Sequence, residues 1–509
     1  MSPTETSTLD RPDKTAVVIA ETGATLTHAQ LYQRSTRLAG FLSQRLGEGE
    51  AIAVLLSNRL EYFEACFGAR RAGLYYVPVS SHLTSGELAY ILEDSGARVL
   101  ITEARFSEAL ASLGSARREA MEVLFVDTQA YVDIVTQGPA PDLPERVLGL
   151  DFAYSSGTTG RPKGIRHAMS GDRELAQAVQ TANWTSFFQL NESSVYLSPA
   201  PLYHAAPLRF SIRCLANRGT VVSMQKFDAE RALAAMETYR VSHSQWVPTM
   251  FIRLLNLPAE TRQRYDLSHH RQALHAAAPC PTDIKRQMLD WWGPRIWEYY
   301  TGSERAGATA ISSQDWLLHP GSVGKAVQGR LHIVDADCRE CPTGVDGLVC
   351  FEGGPRFQYH NDAAKTQDAH TPQGWATFGD IGHVDPEGYL YLTDRRANMI
   401  ISGGVNIYPQ EAENILLEHP LVHDVAVIGV PNADFGEEVK AVVELKDPAQ
   451  ASDDTAALLI AHCRERLSHV KCPRSVDFAT ALPRSETGKL LKRLIRDQYR
   501  AAAVSSSPA

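Results

Sequence analysis

Short apolar runs alternate with amphipathic segments through the first half of the chain. The run AIAVLLSN at 51–58 ends in a turn, and residues 61–72 then repeat apolar side chains at helical spacing. Further apolar runs follow at 123–127, 220–224 and 242–248. This alternation predicts parallel strands that are connected and covered by helices, so the predicted fold class is α/β.

The pattern changes twice in the second half of the chain. From about residue 320, short runs such as RLHIVDAD (330–337) and GLVCFEGG (347–354) are separated by Gly, Pro and Asp, which predicts hairpins in a β-rich subdomain. After about residue 395, a Gly-rich loop, two amphipathic helices and three strand-like runs predict a compact α+β unit of about 110 residues, enough for its own core.

These boundaries divide the chain into two predicted domains. Its 509 residues exceed the roughly 250–300 that a single core usually serves. We predict a large N-terminal domain of helix-covered sheets with the β-rich subdomain over 1–394, a hinge over 395–398 and a small α+β domain over 399–509.

Composition and charge exclude several classes of protein. With 50 basic and 59 acidic side chains the formal net charge is −9, which argues against a general nucleic-acid or anionic-membrane binder. No apolar run approaches the ~18 residues of a membrane helix, and the N-terminus does not read as a signal peptide, so a cytoplasmic protein without stable membrane insertion is expected. Cys338 and Cys341 form a lone C-x-x-C with no second pair at metal-site spacing, which favours two ordinary thiols.

The most informative motif is YSSGTTGRPKG, from Tyr154 to Gly164. Three glycines, two serines, two threonines and Lys163 fall within it. Glycines let the backbone approach an anion, while hydroxyls, amides and the lysine supply hydrogen bonds and charge. The spacing differs from that of the P-loop NTPases. We interpret the segment as a polyphosphate-binding loop rather than a linker.

Together with further motifs in the same order, this loop resembles that of the AMP-forming acyl-CoA synthetases, in the adenylate-forming ligase superfamily. The resemblance covers nearly the whole chain. It implies a large N-terminal domain and a small mobile C-terminal lid that are joined by a hinge. It also implies ATP, Mg²⁺ and coenzyme A as cofactor and co-substrates, and activation of a carboxylic acid to an acyl-adenylate.

The resemblance assigns roles to individual residues. By that match Tyr300 stacks on adenine, Ser303 contacts phosphate and Glu304 binds Mg²⁺. Asp380 in FGDIG and Arg395 in TDRRANMI contact the ribose, and Lys489 in PRSETGK is the catalytic lysine of the lid, which also contacts ATP. The matching positions of the phosphate loop are Ser155, Ser156, Gly157, Thr158, Thr159, Gly160 and Lys163.

Further matches concern the acyl group and coenzyme A. The positions that resemble the acyl pocket are His204, Trp246, Ala276, Ala277, Ala278, Thr301 and Gly302. His204 lies where the acyl and thiol tunnels meet in the family, so a catalytic role and a core histidine both remain open. Gly403, Gly404 and Lys471 match the side that faces coenzyme A, and Ala397 occupies the hinge position, where Asp or Lys is usual.

The sequence therefore predicts an acyl-CoA synthetase for an apolar carboxylic acid. Its partners are that acid, ATP and CoA, and a homodimer is left open. Arg209 could pair with a second carboxylate of the acid or could face solvent. There are two alternatives. One is a ligase that loads a carrier protein, and the other is a nucleotide-binding module without catalysis. Intact Glu304 and Lys489 argue against the non-catalytic module.

Overall fold

The computed structural model describes residues 12–111, 113, 121–155, 162–171, 184, 187–402, 405–432, 435–484 and 490–505. In chain order, the strands of the first part are β1 (Thr15–Ile19), β2 (Thr25–Thr27), β3 (Ala51–Leu55), β4 (Tyr75–Pro78), β5 (Val99–Thr102), β6 (Glu122–Phe125), β7 (Ala153–Ser155), β8 (Lys163–His167), β9 (Val195–Ser198), β10 (Thr220–Ser223), β11 (His243–Trp246), β12 (Gln272–His275), β13 (Ile296–Thr301), β14 (Ala308–Ile311) and β15 (Lys325–Gln328). The later strands are β16 (Arg330–Val334), β17 (Gly347–Glu352), β18 (Phe357–Tyr359), β19 (Ala376–Val384), β20 (Leu390–Arg395), β21 (Ile400–Ser402), β22 (Val405–Ile407), β23 (Val422–Asn432), β24 (Gly436–Leu445) and β25 (Ser475–Phe478).

Helices connect and cover these strands. They span His28–Ser43, Leu60–Arg71, Ser85–Asp94, Ser107–Ala111, Gln129–Thr136, Ala205–Ala216, Ala229–Thr238, Pro248–Leu255, Ala259–Arg264, Thr282–Trp292, Ser313–Leu318, Ala363–Asp368, Pro409–Leu417, Asp453–Arg464 and Lys492–Ser505. Local sequence sets several of their starts. Thr84, for example, accepts a hydrogen bond from the Glu87 amide while the Glu87 side chain bonds back to Thr84, which forms a capping box.

The largest sheet carries the edge on which the candidate site is built. Its order is β15-β14-β13-β12-β11-β9-β10-β1-β2, and the six strands from β13 to β1 run parallel. A second, fully parallel sheet has the order β4-β3-β5-β6. Helices cover these sheets with buried apolar side chains, so the α/β prediction is confirmed.

Two smaller sheets follow. Strands β16, β17, β19 and β20 form an antiparallel sheet, which confirms the hairpins predicted after residue 320. Strands β7, β8 and β18 form a three-stranded sheet whose central strand is β8. Because β18 lies almost 200 positions after β8, this small sheet joins the phosphate-loop region to the later subdomain.

The C-terminal part forms a separate α+β unit, as the pattern predicted. Strands β21 to β25 make one sheet, and helices Pro409–Leu417 and Asp453–Arg464 bury Leu416, Leu459 and Cys463 against it. The boundaries at 394 and 399 stay predictions. Among the described residues, every helix is too short or too polar to cross a bilayer.

Candidate active site

The phosphate-loop segment lies between two paired strands. Ser155 ends β7 and faces Lys163, the first residue of β8, so the intervening residues connect an antiparallel pair. Ser156, Gly157, Thr158, Thr159 and Gly160 lie outside the described residues. Of the predicted phosphate contacts, Ser155 and Lys163 are described, and they lie opposite each other in this pair.

Tyr300, Asp380 and Arg395 form one hydrogen-bonded group. The Tyr300 hydroxyl donates to Asp380 Oδ2 at 2.6 Å, and Arg395 Nε lies 3.0 Å from Asp380 Oδ1. Asp380 on β19 and Arg395 on β20 are cross-strand partners, which fixes this pairing. Burial and then Asp380 raise the pKa of Tyr300 well above its ordinary value, so the phenol stays protonated and donates. Asp380, in turn, raises the pKa of Arg395.

Glu304 and Lys163 meet across Tyr359. The Tyr359 hydroxyl donates to Glu304 Oε1 at 2.7 Å, and Lys163 Nζ lies 5.2 Å from the centre of the Tyr359 ring. Burial lowers the pKa of Lys163, and Lys365 lowers it further, while Glu304 opposes the shift. A carboxylate and an amine at the mouth of a phosphate loop suit a cation and a polyphosphate chain.

The loop between Tyr300 and Glu304 allows no side chain at its glycine. A Cβ on Gly302 would lie 2.5 Å from Glu304 Oε2 and 2.5 Å from Phe378 Cδ1. The Thr301 hydroxyl donates to the Gly307 carbonyl at 2.7 Å. Gly302 and Thr301 therefore fix the turn that carries Glu304; their predicted place in the acyl pocket stays a prediction.

The carboxyl ends of β11 and β12 meet beside this loop. Trp246 pairs with His275 in register, and Ala276 follows directly. Ala277 has a φ of +79°, a left-handed conformation that is strained for a residue other than glycine. Such strain concentrates at functional sites. Trp246 itself is 1 % exposed and packs on Phe251 and Trp292, so it lies within the core.

His204 begins the helix Ala205–Ala216 and is held uncharged. Burial, with a smaller contribution from His82, lowers the pKa of His204 to about 4. Within the described part of the chain, its Nε2 is buried without a hydrogen-bond partner. A neutral imidazole with a nitrogen that has no partner can donate a hydrogen bond to a ligand or accept one from it, but it supplies no charge near pH 7.

Comparison with known families identifies the fold that carries this group of residues. The model of the family described as "AMP-binding enzyme" matches residues 4–356, and that of the "AMP-binding enzyme C-terminal domain" matches residues 411–489. The chain belongs to the AMP-binding enzyme family.

Relatives with assigned activities narrow the reaction. This enzyme is 31% identical to the long-chain-fatty-acid–CoA ligase FadD13 of Mycobacterium tuberculosis, over 96% of either chain. It is 30% identical to the fatty acid–[acyl-carrier-protein] ligase ScoC of Streptomyces coeruleorubidus, over 95% of this chain and 93% of that one. The ATP-bound structure of MatB from Rhodopseudomonas palustris matches with a TM-score of 0.84 and 28% identity, over 97% of both chains. The enzyme is an ATP-dependent, AMP-forming acid–thiol ligase.

The lid residues of the enzyme are only partly described. Lys471 Nζ forms an ion pair with Glu411 at 2.6 Å within the lid, so its predicted contact with CoA stays a prediction. Ala397 lies in a 3₁₀ turn over Arg396–Asn398. Gly403, Gly404 and Lys489 lie outside the described residues.

Three residues of the site escaped sequence reasoning. Tyr359 contacts Glu304, Asp151 binds Arg209, and Asp394 accepts hydrogen bonds from the Gln410 amide and the Asn398 side chain at 2.8 and 3.1 Å. Asp394 lies just before the predicted hinge, in a segment where a carboxylate is a recognisable signal. Nothing in the sequence around Tyr359 or Asp151 marks either as a site residue.

Of the two roles considered from sequence for Arg209, exposure to solvent is wrong, and pairing with a second carboxylate of the acid stays a prediction. Its side chain is 11% exposed, and its guanidinium forms two hydrogen bonds to the Asp151 carboxylate at 2.8 and 3.0 Å. The arginine is thus neither solvated nor unpaired, since a buried protein carboxylate already neutralises it.

Proposed function

We propose that this enzyme is an acyl-CoA synthetase for an apolar carboxylic acid. The observation that carries the proposal is the adjacency of two groups in a chain of this family: Tyr300–Asp380–Arg395 suits a nucleoside, and Lys163–Glu304 suits a polyphosphate with its cation. The naming of FadD13 as a long-chain-fatty-acid–CoA ligase supports an apolar acid.

In the first half-reaction, the acid attacks the α-phosphate of ATP and pyrophosphate leaves. A carboxylate is ionised and nucleophilic at neutral pH, so no general base is required. Negative charge develops on the oxygens of the leaving pyrophosphate. Lys163, together with Lys489 from the lid, stabilises this charge electrostatically. Asp380 accepts hydrogen bonds from the ribose hydroxyls, and Tyr300 forms one wall of the adenine site.

Glu304 fits the expected magnesium ion. Mg²⁺ is usually held by one or two carboxylates together with substrate phosphates, rather than by a protein cage. Tyr359 donates to Glu304 Oε1, and the carboxylate retains further lone pairs for a cation. When bound, the ion would neutralise charge on the phosphates.

In the second half-reaction, the thiol of CoA attacks the acyl carbon and AMP leaves. We propose that the lid rotates about 395–398 between the steps. Lys489 would then leave the site, and the Gly403–Gly404 loop and Lys471 would face the pantetheine arm. Glycines at that position allow close passage of a ligand.

The specific acid can be tested with a series of straight-chain acids. We expect kcat/KM to rise by up to about fourfold for each CH₂, since burying one is worth up to ~0.8 kcal/mol, until the tunnel is full. Malonate should be a poor substrate, because Arg209 is already paired with Asp151 and a second buried charge would lack a partner. Mass spectrometry of the CoA thioesters measures the series, and efficient malonyl-CoA formation would contradict an apolar pocket.

The metal assignment predicts a specific change in the Mg²⁺ titration. Glu304→Gln should raise the Mg²⁺ concentration for half-maximal pyrophosphate release by roughly tenfold, the change that ~1.4 kcal/mol of lost binding gives. Glu387→Gln, at a carboxylate that is 69% exposed, is the matched control and should leave the titration unchanged. A normal titration in a folded Glu304→Gln variant would make the residue structural.

A carrier-protein ligase is the second candidate, because ScoC is named as one. Such an enzyme makes the adenylate and releases pyrophosphate but forms little thioester with free CoA. Quantifying pyrophosphate and acyl-CoA in the same reaction separates the two. Release of neither product with any acid would favour a nucleotide-binding module.

A further inference from the structure

We propose that Asp151 is a positioning residue for adenylate formation: through Arg305 and Arg209 it holds the Glu304 turn in place relative to Lys163. The inference rests on the proposed function, because it concerns the geometry of the same site. It assigns a task to the buried charge cluster of Asp151, Arg209 and Arg305.

The cluster centres on one buried carboxylate. Asp151 is 4% exposed, and its Oδ2 accepts two hydrogen bonds from Arg209, from Nη2 at 2.8 Å and Nε at 3.0 Å. Its Oδ1 pairs with Nη2 of Arg305, the residue that follows Glu304. Burial opposes ionisation of Asp151, but Arg209 and Arg305 outweigh it and hold its pKa well below the ordinary value.

The same cluster also forms a hydrogen bond to the backbone just before Glu304. Arg209 Nη2 donates to the Ser303 carbonyl at 3.1 Å. Glu304 is therefore held on both sides in the chain, by contacts at Ser303 and at Arg305. Its own carboxylate is held by Tyr359.

The backbone at Arg305 needs such support. Arg305 has a φ of +57°, which is unfavourable for a side chain of this size. Its amide donates to Gly302 at 3.1 Å and its carbonyl accepts from Gln328 at 3.0 Å. A left-handed residue persists where surrounding contacts hold it, and the ion pair with Asp151 is the charged one among them.

Asp151 connects three parts of the site because of its place in the fold. It lies two residues before β7, which leads into the phosphate loop, and it bridges to Tyr76 of β4. Arg209 belongs to the helix that begins after His204. Without the Asp151 charge, two largely buried guanidiniums would face each other, and we expect the turn at 303–305 to move away from Lys163.

The test is Asp151→Asn, which keeps the shape and removes the charge. We expect adenylate formation to slow by at least about 30-fold and half-saturating Mg²⁺ to rise several-fold, because Glu304 is displaced. The matched control is Glu64→Gln, which removes the carboxylate of another buried ion pair, Arg34–Glu64 at 2.6 Å. Its Mg²⁺ titration should equal that of the wild type, with both variants measured below their unfolding temperatures.

A second variant keeps the proposal testable if Asp151→Asn does not fold. Arg209→Lys retains the charge but loses the two-donor contact with Asp151 Oδ2, and it should shift the Mg²⁺ titration in the same direction by a smaller factor. An unchanged titration in folded Asp151→Asn or Arg209→Lys, or an equal shift in Glu64→Gln, would overturn the positioning role. Failure of the wild type to release pyrophosphate would instead overturn the proposed function.

Discussion

Replacing Lys489 by alanine should slow acyl-adenylate formation by about 10²–10³-fold, the usual cost of removing one preorganised electrostatic contact from a transition state. Transfer to CoA from a supplied acyl-adenylate should change by only a few-fold, because the proposed rotation removes this lysine before that step. Rapid quench with separate quantitation of adenylate and thioester measures both steps.

The residues that flank Lys489 give this prediction a structural basis. Arg484 forms an ion pair with Asp424 at 2.6 Å on one side, and Lys492 pairs with Glu413 at 2.7 Å on the other. The described residues on either side of the segment are thereby tied to the C-terminal domain. Lys446→Ala, at an exposed lysine of the same domain, is the control and should leave both steps intact. Equal losses in the two steps of Lys489→Ala would contradict the rotation.

A proline at the hinge should separate the two half-reactions. We expect Ala397→Pro to form acyl-adenylate within a few-fold of the wild-type rate but to transfer the acyl group about 10² times more slowly. Transfer is the affected step because the proposed rotation requires the lid to leave the orientation in which the adenylate formed. A conformational penalty of ~3 kcal/mol, typical of a misplaced proline, corresponds to that factor.

The structure shows why this position is sensitive. Arg396–Asn398 form a 3₁₀ turn, and proline at 397 disfavours the helical conformation of the preceding Arg396. Ala397→Gly restores the amide and adds freedom, so it is the matched control and should support both steps. Wild-type rates for both steps in Ala397→Pro would show either that the pivot is another residue of 394–398 or that the lid does not rotate.

Local sequence predicted the fold class and the positions of the motif residues, but not the contacts between them. Apolar periodicity is a property of neighbouring residues, so the α/β region, the hairpins and the lid could be inferred directly. The Tyr359–Glu304 bond joins residues 55 positions apart, and the Arg305–Asp151 bond spans 154. Such pairs depend on the order of strands in the sheets, which no local pattern encodes.

Arg209 illustrates the limit at a single residue. Its neighbours allowed a solvated side chain or a substrate ligand, and both are ordinary roles for arginine. Its buried partner, Asp151, which rules out a solvated side chain, lies 58 positions earlier in the chain, just before β7. The role of an arginine near a predicted pocket can therefore be assigned only when its buried carboxylate partner is known.

The pairing of β8 with β18 determines where a truncated fragment of this protein can end. The first family match ends at residue 356, one residue before β18 begins. A fragment that stops there would keep Lys163 and Glu304 but would lose the strand that carries Tyr359, and with it the outer neighbour of β8. It would also lack Asp380 on β19. A fragment meant to retain the proposed nucleotide site must extend through β20, because Asp380 and Arg395 lie beyond the first match.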